Sequence, residues 1–196
     1  MKLANSAHTG RPWRIHQIAP DFHLQDVWAL PTPGGPDDFP RLVQQFAAGD
    51  TAESPSVPTR VLFAVRWKLG SLLGWDDPES GVDARVATLR DRLPDDLRDG
   101  PAGPASRTLP FTPVYLTDDE FAAELANRTV HAVLHLGWVP DGSDGYRGQL
   151  AVLVKPNGLL GKVYLAAIAP FRNLVVYPAM MRDIGRGWRA DPPPAR

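Results

Sequence analysis

Cysteine is absent from the 196 residues of the chain. Its absence excludes disulfides, thiolate catalysis and zinc sites built on cysteine, and it fits a protein of a reducing compartment. A charge imbalance is also missing, because 21 basic residues stand against 22 acidic ones and the net charge is −1. Nucleic-acid-binding domains usually carry a basic face. The composition therefore gives no support for a nucleic-acid partner.

Targeting and membrane signals are missing as well. Residues 1–8 contain no apolar segment of the kind found in signal peptides. The most apolar stretch, residues 159–181, is interrupted by Lys162, Arg172 and Asn173 and carries two prolines. A membrane-spanning helix needs about 20 mostly apolar residues without charges. We therefore expect a cytoplasmic protein without a transmembrane segment.

Sharp catalytic motifs are lacking too. The sequence contains no glycine-rich dinucleotide loop, no phosphate-binding P-loop and no G-x-S-x-G nucleophile turn. It consequently points to no cofactor and to no catalytic residue that a motif would assign. The missing motifs favour a binding protein over an enzyme without deciding between the two.

What the chain does contain is an ordinary globular composition, with 43% hydrophobic and 22% charged residues. Its length is typical of one domain with a core large enough to fold without a metal or a disulfide. We predict a flexible tail over residues 1–12, a single domain over 13–189 and a second flexible tail over 190–196.

The periodicity of apolar residues predicts a mixture of strands and helices. Thr117 and Glu120 match a capping box, which predicts a helix that continues to Ala126. Pro170 and Pro178 are expected to kink a long C-terminal helix. The predicted strands cover residues 13–18, 22–30, 111–116, 129–139 and 146–154. The predicted helices cover residues 39–46, 59–73, 81–93, 117–126 and 159–188, with an exposed loop over 94–113.

This order of elements predicts an α+β fold, in which an antiparallel sheet packs around a long, kinked C-terminal helix and additional short helices complete the domain. Strands and helices are segregated along the chain instead of alternating. A parallel sheet with helical crossovers is therefore not expected.

Three segments of the C-terminal part are distinctive: residues 155–164 (KPNGLLGKVY), 169–178 (APFRNLVVYP) and 180–184 (MMRDI). They resemble a bacterial family of unknown function, whose members occur alone or fused to short-chain-dehydrogenase-like NAD-binding domains. Residues 26–31, 66–70, 73–75 and 129–138 resemble the stand-alone members. The NAD-binding domain itself has no counterpart in this chain.

The family is in turn similar to the START-related (SRPBCC) superfamily with the helix-grip fold, which includes pollen allergens, polyketide cyclases and lipid-transfer domains. This similarity implies a cavity between the sheet and the C-terminal helix. It assigns no catalytic residue, because the family has no established activity.

Aromatic residues and histidines are the candidates for lining such a cavity. His131 and His135 are four residues apart on the clearest strand, so their side chains project to the same face. Three roles are open to this pair: ligand binding, proton transfer, or structural hydrogen bonds within the sheet. A metal site is not favoured, because no acidic third ligand is close in sequence. The candidate cavity residues are Trp28, Trp67, Tyr115, His131, His135, Trp138, Tyr164 and Phe171.

Three hypotheses follow for the function. The first is a module that binds a small hydrophobic or amphipathic molecule between sheet and C-terminal helix. The second is a cyclase-like or dehydratase-like acid–base enzyme that uses His131, His135 and a buried Asp26. The third is a module that docks on a protein or a membrane surface through the apolar face and the arginines of the C-terminal helix.

Overall fold

A six-stranded sheet is the centre of the protein. The computed structural model describes residues 1–48, 86–107, 109–127, 130–158, 169–170 and 172–191. The strand order is β1-β2-β6-β5-β4-β3, and every neighbouring pair is antiparallel. The strands are β1 (Lys2–Leu3), β2 (His23–Ala29), β3 (Thr112–Leu116), β4 (Glu120–Ala126), β5 (Val130–Pro140) and β6 (Tyr146–Pro156).

Helices cover both faces of this sheet. Short 3₁₀ turns occupy Pro36–Asp38 and Leu89–Arg92, and a π-helical turn at Arg172–Val176 leads into the last helix. The α-helices are α1 (Ser6–Thr9), α2 (Ile15–Ile18), α3 (Phe39–Ala48), α4 (Asp95–Arg98) and α5 (Tyr177–Ala190). The predicted α+β fold, with an antiparallel sheet and a long C-terminal helix, is confirmed.

Alternation of side chains along the strands divides the core into two layers. On the first face, Val133 and Ala151 pack with Ile15 of α2 and with Leu89 of the 3₁₀ turn. We call this the α2 face. On the opposite face, Leu136, Trp138 and Leu150 pack with residues of α3 and α5, including Phe39, Leu42, Tyr177, Met181 and Trp188. We call this the α5 face.

Several sequence predictions agree with these elements. Strands are found in residues 22–30, 111–116, 129–139 and 146–154, as β2, β3, β5 and β6. A helix is found in residues 39–46, as α3. The helix predicted for residues 59–73 lies outside the described residues, as does the part of the C-terminal helix predicted for residues 159–168.

The prediction of a helix after Thr117 is wrong, because residues Glu120–Ala126 form β4. The Thr117 hydroxyl does accept from the Glu120 backbone N–H at 3.1 Å, as in a helix cap. However, the Thr117 N–H also donates to the Glu120 carbonyl at 2.8 Å, which closes a tight connection between β3 and β4. The helix propensity of Ala, Glu and Leu is overridden by burial of the segment between two strands.

Other segments differ from their predictions in a similar way. Residues 13–18, predicted as a strand, contain α2, whose Ile15 and Ile18 are both buried. Within residues 81–93 the described part forms only the 3₁₀ turn Leu89–Arg92. The loop predicted for residues 94–113 contains α4, which buries Leu97 against the α2 face.

The chain ends were predicted to be flexible tails. At the N-terminus, the structure pairs β1 with β2 and buries His8 of α1 completely. At the C-terminus, α5 ends at Ala190, and residues 192–196 lie outside the described residues. The domain boundaries stay a prediction.

The two prolines of the C-terminal segment lie on either side of the π-helical turn. Pro178 occupies the first turn of α5, where a missing backbone N–H breaks no helical hydrogen bond. The π turn at Arg172–Val176 lies between the two prolines, and the kink expected from them stays a prediction.

Close packing of Trp13 on Gly137 gives a test of the α2 face. A Cβ atom at Gly137 would lie 2.7 Å from Trp13 Cζ2. We expect Gly137→Ala to lower the free energy of unfolding by about 1–3 kcal/mol, because overpacking forces the indole to move. Urea denaturation measures the change. Gly35→Ala is the control, since its Cβ would meet no atom closer than 3.8 Å, and equal stability of both variants would contradict this packing.

Candidate functional site

Two buried glutamate–histidine pairs join β4 and β5 on the α2 face. His135 Nε2 lies 2.9 Å from Glu120 Oε2, and His131 Nε2 lies 2.7 Å from Glu124 Oε2. In the strand register His135 is opposite Ala122 and His131 is opposite Ala126. Each glutamate lies two residues before that alanine on β4, so both glutamate–histidine pairs are diagonal and have the same geometry in the register. All four side chains are at most 4% exposed. The sheet thus carries the same polar pair twice, one above the other.

Each carboxylate also binds the start of a short helical segment. The backbone N–H of Arg14, which precedes α2, donates to Glu120 Oε1 and Oε2 at 3.0 and 3.1 Å. The backbone N–H of Leu89, at the start of its 3₁₀ turn, donates to both oxygens of Glu124 at the same distances. Because unpaired N–H groups at a helix start favour a negative charge, the two glutamates anchor these segments on the sheet.

Hydroxyl groups add further donors to the carboxylates. The Tyr115 hydroxyl donates to Glu120 Oε2 at 2.8 Å, and the Thr88 hydroxyl donates to Glu124 Oε1. Burial alone would raise the pKa of Glu120, but the hydrogen bonds from His135, Arg14 and Tyr115 hold that pKa below its ordinary value. Burial and the neighbouring Glu120 charge raise the pKa of the Tyr115 hydroxyl.

His8 of α1 extends the first pair into a chain of three groups. Its Nε2 lies 3.2 Å from His135 Nδ1. Since the ionised Glu120 accepts a hydrogen bond, His135 Nε2 must carry the proton and its Nδ1 must accept one from His8 Nε2. This order leaves His8 Nδ1 as a buried acceptor that has no hydrogen-bond partner among the described residues.

Both histidines of this chain are held in the neutral form. Burial, followed by the nearby His135 and His16 rings, lowers the pKa of His8 to about 3. Burial lowers the pKa of His135 as well, against the opposing effect of Glu120. A neutral pair is what the arrangement of donors and acceptors requires.

The predicted cavity residues are divided between the two faces of the sheet. Trp28 and Trp138 belong to the core of the α5 face. Tyr115, His131 and His135 lie on the α2 face, where Tyr115 is part of the core and the histidines contact Glu120 and Glu124. Trp67, Tyr164 and Phe171 lie outside the described residues. That these residues bind a ligand stays a prediction.

The sequence-based predictions did not include Glu124 or His8, and they included Glu120 only as part of a capping box. A signal was present in residues 120–126, where Glu, Ala, Glu and Ala alternate with Phe, Ala and Leu. That period of two is typical of a strand, and it places both carboxylates on one face. No sequence pattern indicates His8, which is brought to His135 only by the pairing of β1 with β2.

Asp26 is buried, as one hypothesis required, but it is held in ion pairs. Its Oδ1 lies 2.7 Å from Lys2 Nζ and its Oδ2 lies 2.8 Å from an Arg172 amino group. This carboxylate connects β1, β2 and the π-helical turn. It lies on the opposite face of the sheet from His135, because Asp26 is opposite Val152 of β6 whereas His135 is opposite the next residue, Ala151.

An apolar cavity lies on the α5 face between the sheet, α3 and α5. Its volume is about 70 Å³. Gln45 is the one polar residue of its lining, and the other lining residues are apolar. The Gln45 amide group donates to the Ile184 carbonyl at 3.0 Å. Its Oε1 is buried and has no partner among the described residues. The lining consists of Leu30, Leu42, Gln45, Phe46, Leu109, Leu134, Leu136, Leu150, Met180 and Ile184.

The described residues contain neither a group of metal ligands nor a membrane-spanning helix. Within the part of the chain that the structure describes, no three His, Asp or Glu side chains are grouped so that they could hold a metal ion. The helices of that same part are all too short or too polar to cross a membrane.

Residues 18–179 match the model of a protein family described as "Protein of unknown function (DUF2867)". The chain belongs to this family. The matched region contains both glutamate–histidine pairs and most of the cavity lining, whereas His8 and Ile184 fall outside it. No curated protein and no solved structure matches the chain. The predicted membership of a family of unknown function is confirmed, and its relation to START-related proteins stays a prediction.

The role of Glu124 as an anchor can be tested by replacing it with its amide. In Glu124→Gln, an NH₂ group would face donors that now bind a carboxylate oxygen. We expect the free energy of unfolding to fall by about 1–3 kcal/mol, since at least one buried donor loses its acceptor. Chemical denaturation of Asp95→Asn, which changes an exposed carboxylate of α4, should show a much smaller change. Similar losses in both variants would rule out the anchoring role.

The neutral histidine chain predicts a pH-dependent stability. The pKa values of His8 and His135 are lower in the folded protein than in the unfolded chain, so the unfolded chain binds more protons as the pH falls. Stability is therefore full above about pH 6.5 and decreases below it, by about 1.4 kcal/mol per pH unit for each proton that the unfolded chain binds in excess of the folded protein.

Urea unfolding of His8→Gln measures this effect, because the glutamine amide still donates to His135 but does not titrate. The loss of stability between about pH 6.5 and 5 should be smaller in the variant than in the wild type. The exposed His23 provides the control, and His23→Gln should keep the wild-type pH profile. An unchanged profile in His8→Gln would contradict the proposed protonation state.

Proposed function

We propose that this member of the family binds a small, mainly apolar molecule in the cavity between the sheet and the C-terminal helix. The observation that carries the proposal is Gln45, which lines the otherwise apolar cavity and whose buried Oε1 has no partner among the described residues. A buried polar atom without a partner is costly and rare in native proteins. A ligand with one hydrogen-bond donor would remove that cost.

The chemistry of the lining favours an apolar ligand. Leucines from β5, β6 and α3 form the wall, with Phe46 and Met180 beside them. Cavities with such walls stay dry and bind apolar molecules instead of water. The ligand should therefore bury a hydrocarbon part against the leucines and direct its single donor to Gln45.

The size of the cavity limits the ligand to a few heavy atoms in the conformation described. A cavity of about 150 Å³ with a similar lining binds benzene, and the volume here is about 70 Å³. Phe46, Leu134, Met180 and Ile184 are only half-buried, and methionine adapts its shape readily. A small ring is therefore admitted by modest side-chain movement.

The histidine chain on the α2 face is better explained by its anchoring contacts. Its groups are buried, and none of four prominent clefts between described residues is lined by His131, His135 or Glu120. An acid–base reaction at these histidines would first require opening of the N-terminal segment. The acid–base hypothesis and the cytoplasmic location stay predictions of the sequence.

Phenol and toluene form a suitable pair of probes, because they are similar in size and only phenol has a donor. We expect the wild type to bind phenol about three- to tenfold more tightly than toluene, the contribution of one neutral hydrogen bond. Gln45→Leu should abolish this preference. Gln44→Leu, at the exposed neighbouring position, should retain it. Ligand-detected NMR titrations give the affinities.

A second variant locates the site. Leu134→Phe places a larger side chain in the cavity and should weaken binding of both probes. Leu24→Phe is its control, because Leu24 is also partly buried but packs on the α2 face. The proposal fails if the wild type binds neither probe saturably, or if Leu134→Phe and Leu24→Phe bind both probes as the wild type does.

A further inference from the structure

A second cleft lies on the other side of the C-terminal helix, where α5 passes the segment after β2. Its volume is about 480 Å³, and three of its lining residues are arginines. Gly185 allows the close approach of Pro31, since a Cβ atom there would lie 2.9 Å from Pro31 Cγ. The lining residues are Met1, Pro31, Met181, Arg182, Gly185, Arg186 and Arg189. We call this the arginine cleft.

The arginines form a row along one side of the helix. Arg182, Arg186 and Arg189 are separated by four and three residues, a spacing that brings their side chains to the same side of a helix. Like charges at these spacings destabilise a helix. Only Arg189 lies in the last turn, where the helix dipole compensates a positive charge. Repulsion among the three arginines therefore destabilises the helix unless a negatively charged group binds to them.

The acidic groups of the described residues compensate this row only in part. Arg186 is paired with Asp183 of the same helix. Arg182 Nε donates to the Pro178 carbonyl at 3.2 Å, which is a neutral acceptor. Arg189 forms no ion pair with any residue that the structure describes. Of the three guanidinium groups around the cleft, only that of Arg186 is paired with a carboxylate of the described residues.

We propose that the arginine cleft binds the phosphate group of an amphipathic organic phosphate. Guanidinium groups bind phosphate oxygens through paired N–H donors, and a dianion would balance the charge that Asp183 leaves. Met181, Pro31 and Met1 supply an apolar floor for the organic part. The same chemistry is found in a soluble phosphomonoester and in the headgroup of an anionic lipid.

The arginine cleft is separate from the apolar cavity. The cavity is lined by Leu30, Met180 and Ile184, whereas the cleft is lined by Pro31, Met181 and Gly185 on the other side of the same elements. The two sites can therefore be occupied independently. Failure of one proposal would leave the other intact.

Phenyl phosphate is the probe, and NMR detection of the arginine Nε–H signals is the measurement. Saturable shifts are expected at Arg182, Arg186 and Arg189. Arg98, which is also paired within its own helix but lies on α4, should not shift. Equal shifts at Arg98, or no shift at the three arginines, would overturn the proposal.

Variants test whether the row acts as one site. Arg182→Gln and Arg189→Gln should each weaken phenyl phosphate binding about three- to tenfold, and Arg98→Gln should leave it unchanged. Arg189→Lys keeps the charge but loses the paired donors, so an intermediate affinity is expected. Leu134→Phe, which fills the apolar cavity, should not affect phenyl phosphate. Binding that is equally weakened by Arg98→Gln would indicate general charge attraction and would reject the site.

Vesicles distinguish the two sources of the phosphate group. Sedimentation with phosphatidic acid vesicles, but not with phosphatidylcholine vesicles, together with its loss in Arg182→Gln, would assign the cleft to a lipid headgroup. Binding of phenyl phosphate without sedimentation would assign it to a soluble phosphomonoester. Absence of both would refute the proposal.

Discussion

Two buried glutamates are the constraint on which the α2 face depends. A buried carboxylate is tolerated only where donors surround it, and Glu120 and Glu124 receive theirs from a histidine, a hydroxyl and the first N–H of a helical segment. The residues that supply these donors come from the N-terminal region, from residues 88–89 and from β3 and β5. Satisfying the two charges therefore fixes where α2 and the 3₁₀ turn lie on the sheet.

The opposite face is organised by different interactions. Its core consists of apolar and aromatic side chains. Trp138 Nε1 donates to the Gly35 carbonyl and Trp188 Nε1 to the Pro33 carbonyl, whereas Gln45 Oε1 has no partner among the described residues. Apolar contacts are not directional, so the side chains of this core can shift slightly without losing an ionic partner. A ligand cavity is easier to accommodate on this face than among the glutamates.

The strongest periodic segments were predictable from the sequence, and β5, β6 and α3 are where they were expected. Strand β4 was missed because Ala, Glu and Leu favour a helix locally, while the partners that decide its conformation, Arg14 and Leu89, are distant in sequence. The strand assignment of β5 correctly put His131 and His135 on one face. The sequence did not show which layer of the core this face contacts, because the glutamates that bind the histidines lie on the neighbouring strand. The histidines and Trp138 were therefore assigned to one cavity, although they lie on opposite faces of the sheet.

The N-terminal residues show how a short segment is held by both faces of the sheet. Lys2 pairs with Asp26, whose other oxygen binds Arg172 before α5, and His8 ends the chain that begins at Glu120. Neither contact could be predicted from the sequence, because a single lysine or a single histidine does not indicate its partner. Together they connect the first residues to the C-terminal helix on one side and to the buried glutamates on the other. Protonation of His8 consequently acts on the contacts of the N-terminal segment. The described core residues of the α5 face include no histidine, so their packing does not depend directly on a histidine charge.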